Sequence, residues 1–408
     1  MKRVVVTGMA GVSSLGSDWA QISKRLRSGK NAIATMDDWA QYDGLFTRLG
    51  GPVPDFERPK HYSRKATRGM GRVALFAVVA TERALENAGL LGDAILSSGQ
   101  TGIAYGSSAG SPTAVADFGN MLINKRTDKL NATSYIRMMA HTTAVNIGVF
   151  FGVKGRVYTT SSACTSSSQG IGYGYEAIRH GQQTVMICGG AEELCPTEAA
   201  VFDTLFATST RNDEPHLTPR PFDRDRDGLV IGEGGGTLIL EEREHALARG
   251  ATIYAEVLGF GTNCDGSHVT QPDQSSVSQV MRLALENAGL GASDVDYVSL
   301  HGTATEIGDI TESKATLEVI GGTTPVSAFK SYTGHTLGAC GALEAWAAIE
   351  MMREGWFHPT VNLDNVDERC AQLDYITGKG RELAAQVVMS NNLAFGGINT
   401  SLLFGRVD

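Results

Sequence analysis

The sequence predicts an α/β protein built from two duplicated halves, residues 1–250 and 251–408, stacked in a layered α/β/α/β/α arrangement. Three observations predict it. The segment Ala84-Leu85-Glu86-Asn87-Ala88-Gly89-Leu90 recurs as Ala284-Leu285-Glu286-Asn287-Ala288-Gly289-Leu290. The same order of apolar strand, small-residue loop and helix follows each copy. The chain has 408 residues, more than one hydrophobic core usually serves.

The elements follow in order. Val4-Val5-Val6-Thr7-Gly8 reads as an opening strand and turn. Each repeated segment ends an amphipathic helical stretch, with Gly89 or Gly289 where a helix C-terminal cap takes glycine. Short strands come next, at Thr101–Ser107 in one half and Val295–Gly302 in the other. Val157–Thr160 then runs into a Ser-rich stretch, Cys164 and a helix through Ile178. Its counterpart, Val326–Phe329, leads to Gly334-His335 and a helix through Ile349. Thr184–Cys188 and Thr400–Phe404 are matched as closing strands. Strands alternating with helices imply a mostly parallel sheet, whose reactive groups collect on loops leaving the carboxyl ends of strands.

Composition narrows the function. Hydrophobic residues at 42% against 19% charged fit a soluble globular chain, and 49 Gly against 11 Pro fit many tight turns. The longest apolar runs, such as Val145–Phe151, are too short to span a bilayer, and no secretory cleavage pattern follows the start; a cytoplasmic location is expected. A net charge of −9 argues against nucleic-acid binding. Six cysteines without C-x-x-C spacing are expected to be reduced thiols. One basic patch stands out, comprising Arg58, Lys60, Arg64, Lys65, Arg68 and Arg72. It is either a solvated helix face or a dock for an acidic partner.

Candidate chemistry centres on Cys164, within Thr160-Ser161-Ser162-Ala163-Cys164-Thr165-Ser166. A thiol between a strand and a helix start gains from backbone N–H groups and the helix dipole, so a lowered pKa and an available thiolate are expected. Cys188 and Cys340 read as buried structural thiols. His301 lies in His301-Gly302-Thr303-Ala304-Thr305 directly after a strand, and His335 lies in Lys330-Ser331-Tyr332-Thr333-Gly334-His335. Neither histidine falls on an apolar helical stripe. Their spacing does not fit the H-E-x-x-H metal motif, and no compact Cys/His cluster exists in the sequence, so no metal is expected.

These residues bring the chain into a known pattern. It resembles the β-ketoacyl-acyl-carrier-protein synthases I and II of the thiolase-like superfamily over nearly its whole length. Four motifs stand in family order: Ala163-Cys164-Thr165-Ser166, His301-Gly302-Thr303, Lys330 through His335 with Gly338, and Phe395-Gly396-Gly397-Ile398-Asn399. The resemblance implies a thiolase-like fold and a decarboxylative Claisen condensation of an acyl thioester with malonyl-carrier protein. Cys164 would then carry the acyl group, and His301 and His335 would donate hydrogen bonds to the malonyl thioester. Lys330 would hold the charge balance, with Glu312 and Glu344 behind it. The backbone N–H groups of Cys164 and Phe395 would form an oxyanion hole, Phe395 and Phe202 a gate, and Thr303 and Thr305 the contacts to phosphopantetheine. Ala109 would line the acyl pocket, and Lys65 and Arg68 would meet an acidic carrier protein near the tunnel mouth. No cofactor of the enzyme's own is implied, since the substrates ride on the carrier's phosphopantetheine.

Three positions depart from the family pattern. Ala394 precedes the gate Phe where Gly is common, Ala109 is small where a larger apolar residue is frequent, and Phe206 replaces a position that is often basic. The rivals separate on residues: a thiolase uses a second reactive Cys, and a silent chain-length subunit lacks the nucleophile. A dimer is implied, either of identical chains or of a ketosynthase subunit with a silent chain-length partner in a specialised polyene or polyketide system.

Overall fold

The computed structural model describes residues 1–407. Eleven strands form one sheet: β1 (Val4–Ser13), β2 (Thr101–Gly106), β3 (Val157–Thr159), β4 (Val185–Glu192), β5 (Gly234–Glu242), β6 (Ala255–Cys264), β7 (Tyr297–Ser299), β8 (Pro325–Ser327), β9 (Asp374–Tyr375), β10 (Val387–Leu393) and β11 (Ile398–Gly405). Their order is β9-β8-β7-β10-β11-β6-β1-β5-β4-β2-β3. Apart from the edge strand β9, the sheet divides into two sets with the same plan, β3-β2-β4-β5-β1 and β8-β7-β10-β11-β6, joined where Val5 and Val6 of β1 pair with Glu256 and Ala255 of β6.

The repeated heptapeptide has a physical reason. It ends two helices, α1 (Arg72–Asn87) and α4 (Gln274–Ala288), each of which buries an apolar stripe against its own set of strands. Gly8 of β1 lies so close to α1 that a Cβ there would stand 2.3 Å from the Ala84 carbonyl oxygen; at Gly259 of β6 it would stand 2.5 Å from that of Ala284. Asn87 Oδ1 accepts the Met9 N–H at 3.0 Å, and Asn287 Oδ1 accepts the Phe260 N–H at 3.2 Å. These N–H groups sit just past a bulge in each strand, where the ladder shifts register at Thr7 or Leu258. The repeat therefore supplies one small residue for close approach and one amide that satisfies a donor freed by the bulge. Gly89 and Gly289, at φ 68° and 70°, then end the helical stretches in the left-handed region.

Two differences from the sequence reading concern the strands. The sheet is mixed rather than mostly parallel, because β10 and β11 are joined only by residues 394–397, and so short a loop returns the chain antiparallel. The strand that matches β4 is β10, and β11 matches β5, so Thr184–Cys188 and Thr400–Phe404 are not counterparts. Both strands of each pair are buried, which makes their apolar runs interchangeable by pattern alone.

Helices α2 (Ser166–Arg179) and α6 (Cys340–Glu354) share a central core with strands of both halves, including Met186, Leu238, Val388 and Leu402. The outer cores are packed by α1 on one side and by α4 on the other. Three helix layers thus enclose two sheet halves. Among the described residues, no helix is long and apolar enough to cross a membrane.

Candidate active site

The start of α2 is where chemistry gathers. β3 leads into a short helical turn, Ala163–Thr165, which delivers Cys164 to the start of α2. Ala163 takes φ 49° to make this turn, and Leu337 takes φ 44° in the matching turn ahead of α6. Such backbone is strained for a residue with a side chain, and both strained residues sit beside the site. Cys164 is 4% exposed.

The other groups converge from the second half. His301 follows β7, and α5 (Glu306–Val319) begins after its loop. Lys330 opens the turn Lys330–Thr333 after β8, and His335 lies between that turn and α6. His335 Nε2 is 3.0 Å from Cys164 Sγ, and the two imidazoles meet edge-to-face with centroids 5.1 Å apart. Folding therefore brings together Cys164, His301, His335 and Lys330.

The hydrogen bonds fix both tautomers. The Leu337 backbone N–H donates to His335 Nδ1 at 3.3 Å, so the ring proton is on Nε2 and faces the sulfur. Lys330 Nζ donates to His301 Nδ1 at 3.1 Å, which leaves the His301 Nε2 as an N–H as well. Burial, reinforced by the Lys330 charge, holds both imidazoles well below the usual histidine range, so both are neutral donors near pH 7. Lys330 is itself buried, which opposes its charge, but the Glu344 carboxylate beside it raises it above its ordinary value and keeps it an ammonium. Glu344 Oε1 accepts from it at 2.5 Å.

Cys164 differs from expectation. Burial pushes its thiol up to about 11, against the pull of the Lys330 charge and the Phe395 backbone N–H. The resting group is the thiol, because desolvation at the bottom of the cavity outweighs the nearby donors. Those donors remain aimed at the sulfur: the N–H groups of Phe395 and of Cys164 itself both favour its anion.

Glu312 holds a different place from the one expected. It accepts the His301 and Gly302 N–H groups at 2.5 and 2.8 Å, fixing the histidine loop, and burial raises it to about 8. Its link to Lys330 is one of charge, whereas Glu344 touches Lys330 directly.

A cavity of about 480 Å³ opens above the sulfur, lined by Cys164, His301, His335, Thr303, Thr305, Phe202 and Phe395 among others. Phe202 and Phe395 pack with centroids 4.9 Å apart. The Phe395 loop is tight: a Cβ on Gly397 would stand 1.9 Å from Asp265 Oδ1, and Gly396 donates to the Val269 carbonyl at 2.7 Å. Ala394 keeps a negative φ, so replacing Gly there introduces no strain. Thr303 and Thr305 hydroxyls lie 3.0 Å apart on the cavity wall.

Three expected residues lie outside this lining. Ala109 is half-buried on the loop after β2, and Lys65 and Arg68 are exposed on and beside the short helix Arg64–Thr67. Of the basic patch, Arg72 turns inward to pair with Glu233 at 2.7 Å and does not offer its charge to a partner. Phe206 stands on the cavity rim, 84% exposed at φ 53°.

The sequence reading missed Asn392 and Glu192. Asn392 Nδ2 donates to Glu344 Oε2 at 2.6 Å, completing the Lys330 network. Glu192 collects the Ser107 hydroxyl and the N–H groups of Ser108 and Gly338, tying the loop after β2 to the Leu337 turn. Both residues lie at the carboxyl ends of strands, the signal that would have found them. Cys340 is buried beside the site, donating to the Cys164 carbonyl at 3.2 Å.

Residues 1–246 match the model of the β-ketoacyl synthase N-terminal domain, and residues 254–364 that of its C-terminal domain. The chain is 37% identical to 3-oxoacyl-[acyl-carrier-protein] synthase 2 of Synechocystis sp., over 99% of this chain and 98% of that one. It is 36% identical to 3-oxoacyl-[acyl-carrier-protein] synthase 1 of Escherichia coli K12, with both chains fully covered. A solved β-ketoacyl synthase from Burkholderia phymatum STM815 superposes with a TM-score of 0.99 at 57% identity, covering both chains in full. The ishigamide ketosynthase/chain length factor superposes with a TM-score of 0.91 at 33% identity, again covering both chains in full.

Proposed function

The chain belongs to the β-ketoacyl synthase family and has its thiolase-like fold, and on that premise we propose that it elongates acyl chains by condensing them with malonyl-carrier protein. The single observation that carries this reading is the buried arrangement of one thiol facing two neutral Nε2–H donors.

The proposed chemistry has two halves. The Cys164 thiol gives up its proton as its sulfur attacks an acyl-carrier thioester; the carbon–sulfur bond to the carrier breaks, and the leaving sulfur takes up a proton to become the carrier thiol. His335, with its proton on Nε2, stabilises the sulfur anion by donating to it. Malonyl-carrier protein then binds, with its phosphopantetheine along Thr303 and Thr305. The malonyl carbon–carboxylate bond breaks, carbon dioxide leaves, and the electron pair becomes an enolate whose oxygen accepts from His301 and His335. No base is needed to remove a proton from carbon. The enolate carbon attacks the Cys164 thioester, its oxyanion is held by the Cys164 and Phe395 N–H groups, and collapse returns the sulfur. Two half-reactions through one covalent intermediate predict ping-pong kinetics.

Lys330, with Glu344 and Asn392 behind it, sets the His301 tautomer; Glu312 holds the histidine loop. Phe395 and Phe202 serve as the gate. Lys65 and Arg68 remain the proposed contacts to an acidic carrier, offered from outside the cavity lining. We place the protein in the cytoplasm and divide it at residues 250 and 251 into a nucleophile half and a histidine half. Strand β3 is an edge strand with Val157 exposed, which supports a dimer formed through that edge.

A second reading has its own support: likeness to the ishigamide ketosynthase/chain length factor favours work beside a silent chain-length partner. Assaying the purified chain alone with malonyl-carrier protein and acyl-carrier proteins separates the two. Condensation by the single chain supports the first reading. Condensation only after a chain-length subunit is added supports the second, and none in either case removes the enzymatic reading.

A further inference from the structure

Helix α3 (Pro196–Asp203) turns one face toward the nucleophile. Ala199 and Phe202 of that face belong to the same apolar cluster as Cys164 and Leu337, with Phe395 packed against it. Glu198 lies on this face one turn before Phe202, about 6 Å along the helix. It is 7% exposed, and neither of its carboxyl oxygens has a hydrogen-bond partner among the described residues.

The surrounding carboxyl groups make this unusual. Glu192 is occupied by Ser107, Ser108 and Gly338, and Glu193 by the Val73 N–H and the Ser111 hydroxyl. Glu233 is occupied by Arg72 and the Val53 and Leu194 N–H groups. Glu198 alone of the four is unfilled, although its place in the first turn of α3 would let it fold back and cap the helix. A buried polar group without a partner destabilises a fold unless something else completes it.

We infer that Glu198 is a specificity residue that hydrogen-bonds a hydroxyl group carried on the acyl chain, away from the thioester. The inference rests on the condensing-enzyme reading, because it needs an acyl group on Cys164. An acyl chain on Cys164 that passes the Phe202 ring would run toward Glu198, one turn back on the same helix face. Burial first, and then the neighbouring carboxyl groups of Glu192 and Glu193, raise the Glu198 carboxyl well above the usual range. It is therefore a neutral donor and acceptor at once. A hydroxyl matches both roles, whereas a methyl-ended chain leaves them unfilled.

The test loads Cys164 in single turnover from hexanoyl-, octanoyl- and decanoyl-carrier protein and from their ω-hydroxy counterparts, read by intact-protein mass. The expected result is a preference for the hydroxylated chain of about 10- to 100-fold at one or more lengths. The substitution Glu198→Met should abolish that preference, speed loading of the plain chain, and raise Tm because an unpartnered buried acid is gone. Equal preference in wild type and Glu198→Met overturns the inference while leaving the condensing reading intact. A lowered Tm or a lost dimer in Glu198→Met also overturns it, by giving Glu198 a structural partner in the second chain. Failure of Cys164 to load any acyl group overturns both.

Discussion

Lys330 donates to Nδ1 of His301 across 3.1 Å while its charge is met by Glu344. The ammonium thus decides which imidazole nitrogen faces the cavity. Lys330→Met removes the donor and leaves the Glu344 carboxyl buried without its cation. The expected loss is about 3–5 kcal/mol in denaturant unfolding and about 100-fold or more in kcat. Adding Glu344→Gln should recover much of the stability and little of the rate. Recovery of both would show that Lys330 serves the fold alone.

Acid should destabilise the protein through its buried imidazoles. His358 donates from Nδ1 to the Pro359 carbonyl, its Nε2 has no partner among the described residues, and burial lowers it from 6.5 to about 4. Above pH 6.5 the ring is neutral in both the folded and the unfolded chain. As pH falls from 6.5 to about 4, only the unfolded chain takes up the proton, so stability is lost by about 3 kcal/mol in total from this residue. His358→Gln should flatten that part of the curve, measured by urea unfolding across the pH range. An unchanged slope would contradict the burial argument.

Phe206 combines an exposed ring with a left-handed backbone. Phe206→Gly relieves the strain and should raise stability by about 1 kcal/mol. If the ring meets the carrier protein, the same change raises KM for acyl-carrier protein and leaves kcat alone. Unaltered KM would leave Phe206 with no role at the rim.

Cys164, His301 and His335 place ligand-type atoms within 4.8 Å of one another, a spacing that also suits three ligands of one ion. The neighbouring ammonium and the neutral thiol oppose a cation there. Activity should survive dialysis against EDTA, and added Zn²⁺ should inhibit by engaging the thiol. Loss of activity in EDTA, restored by metal, would reverse this assignment.

Legibility in the sequence followed the range of the interactions. Cys164 and the two histidines were legible because each lies on a loop after a recognisable strand, with glycine or serine around it. The duplication was legible because each copy must repeat the same local fit, Ala84 and Asn87 on Gly8 and Met9, and Ala284 and Asn287 on Gly259 and Phe260. The thiol's state was misread because the helix start is local whereas the desolvation that dominates it comes from the whole fold. Glu192, Asn392 and Glu198 escaped notice because a buried acid or amide is ordinary as a letter. Its meaning comes from partners 48 to 146 residues away, or from having none.

The central claim is that one sulfur and two imidazoles act together in a single buried chamber. It is tested most directly by intact-protein mass of wild type, Cys164→Ala and His301→Ala/His335→Ala, each given octanoyl- and then malonyl-carrier protein. Wild type should gain an octanoyl adduct on Cys164 and lose it on malonyl addition, with carbon dioxide and a two-carbon-longer β-keto product released. Cys164→Ala should form neither adduct nor product, and the double histidine variant should hold its adduct without extending it. Chain extension by Cys164→Ala, or normal extension without the histidines, would contradict the account.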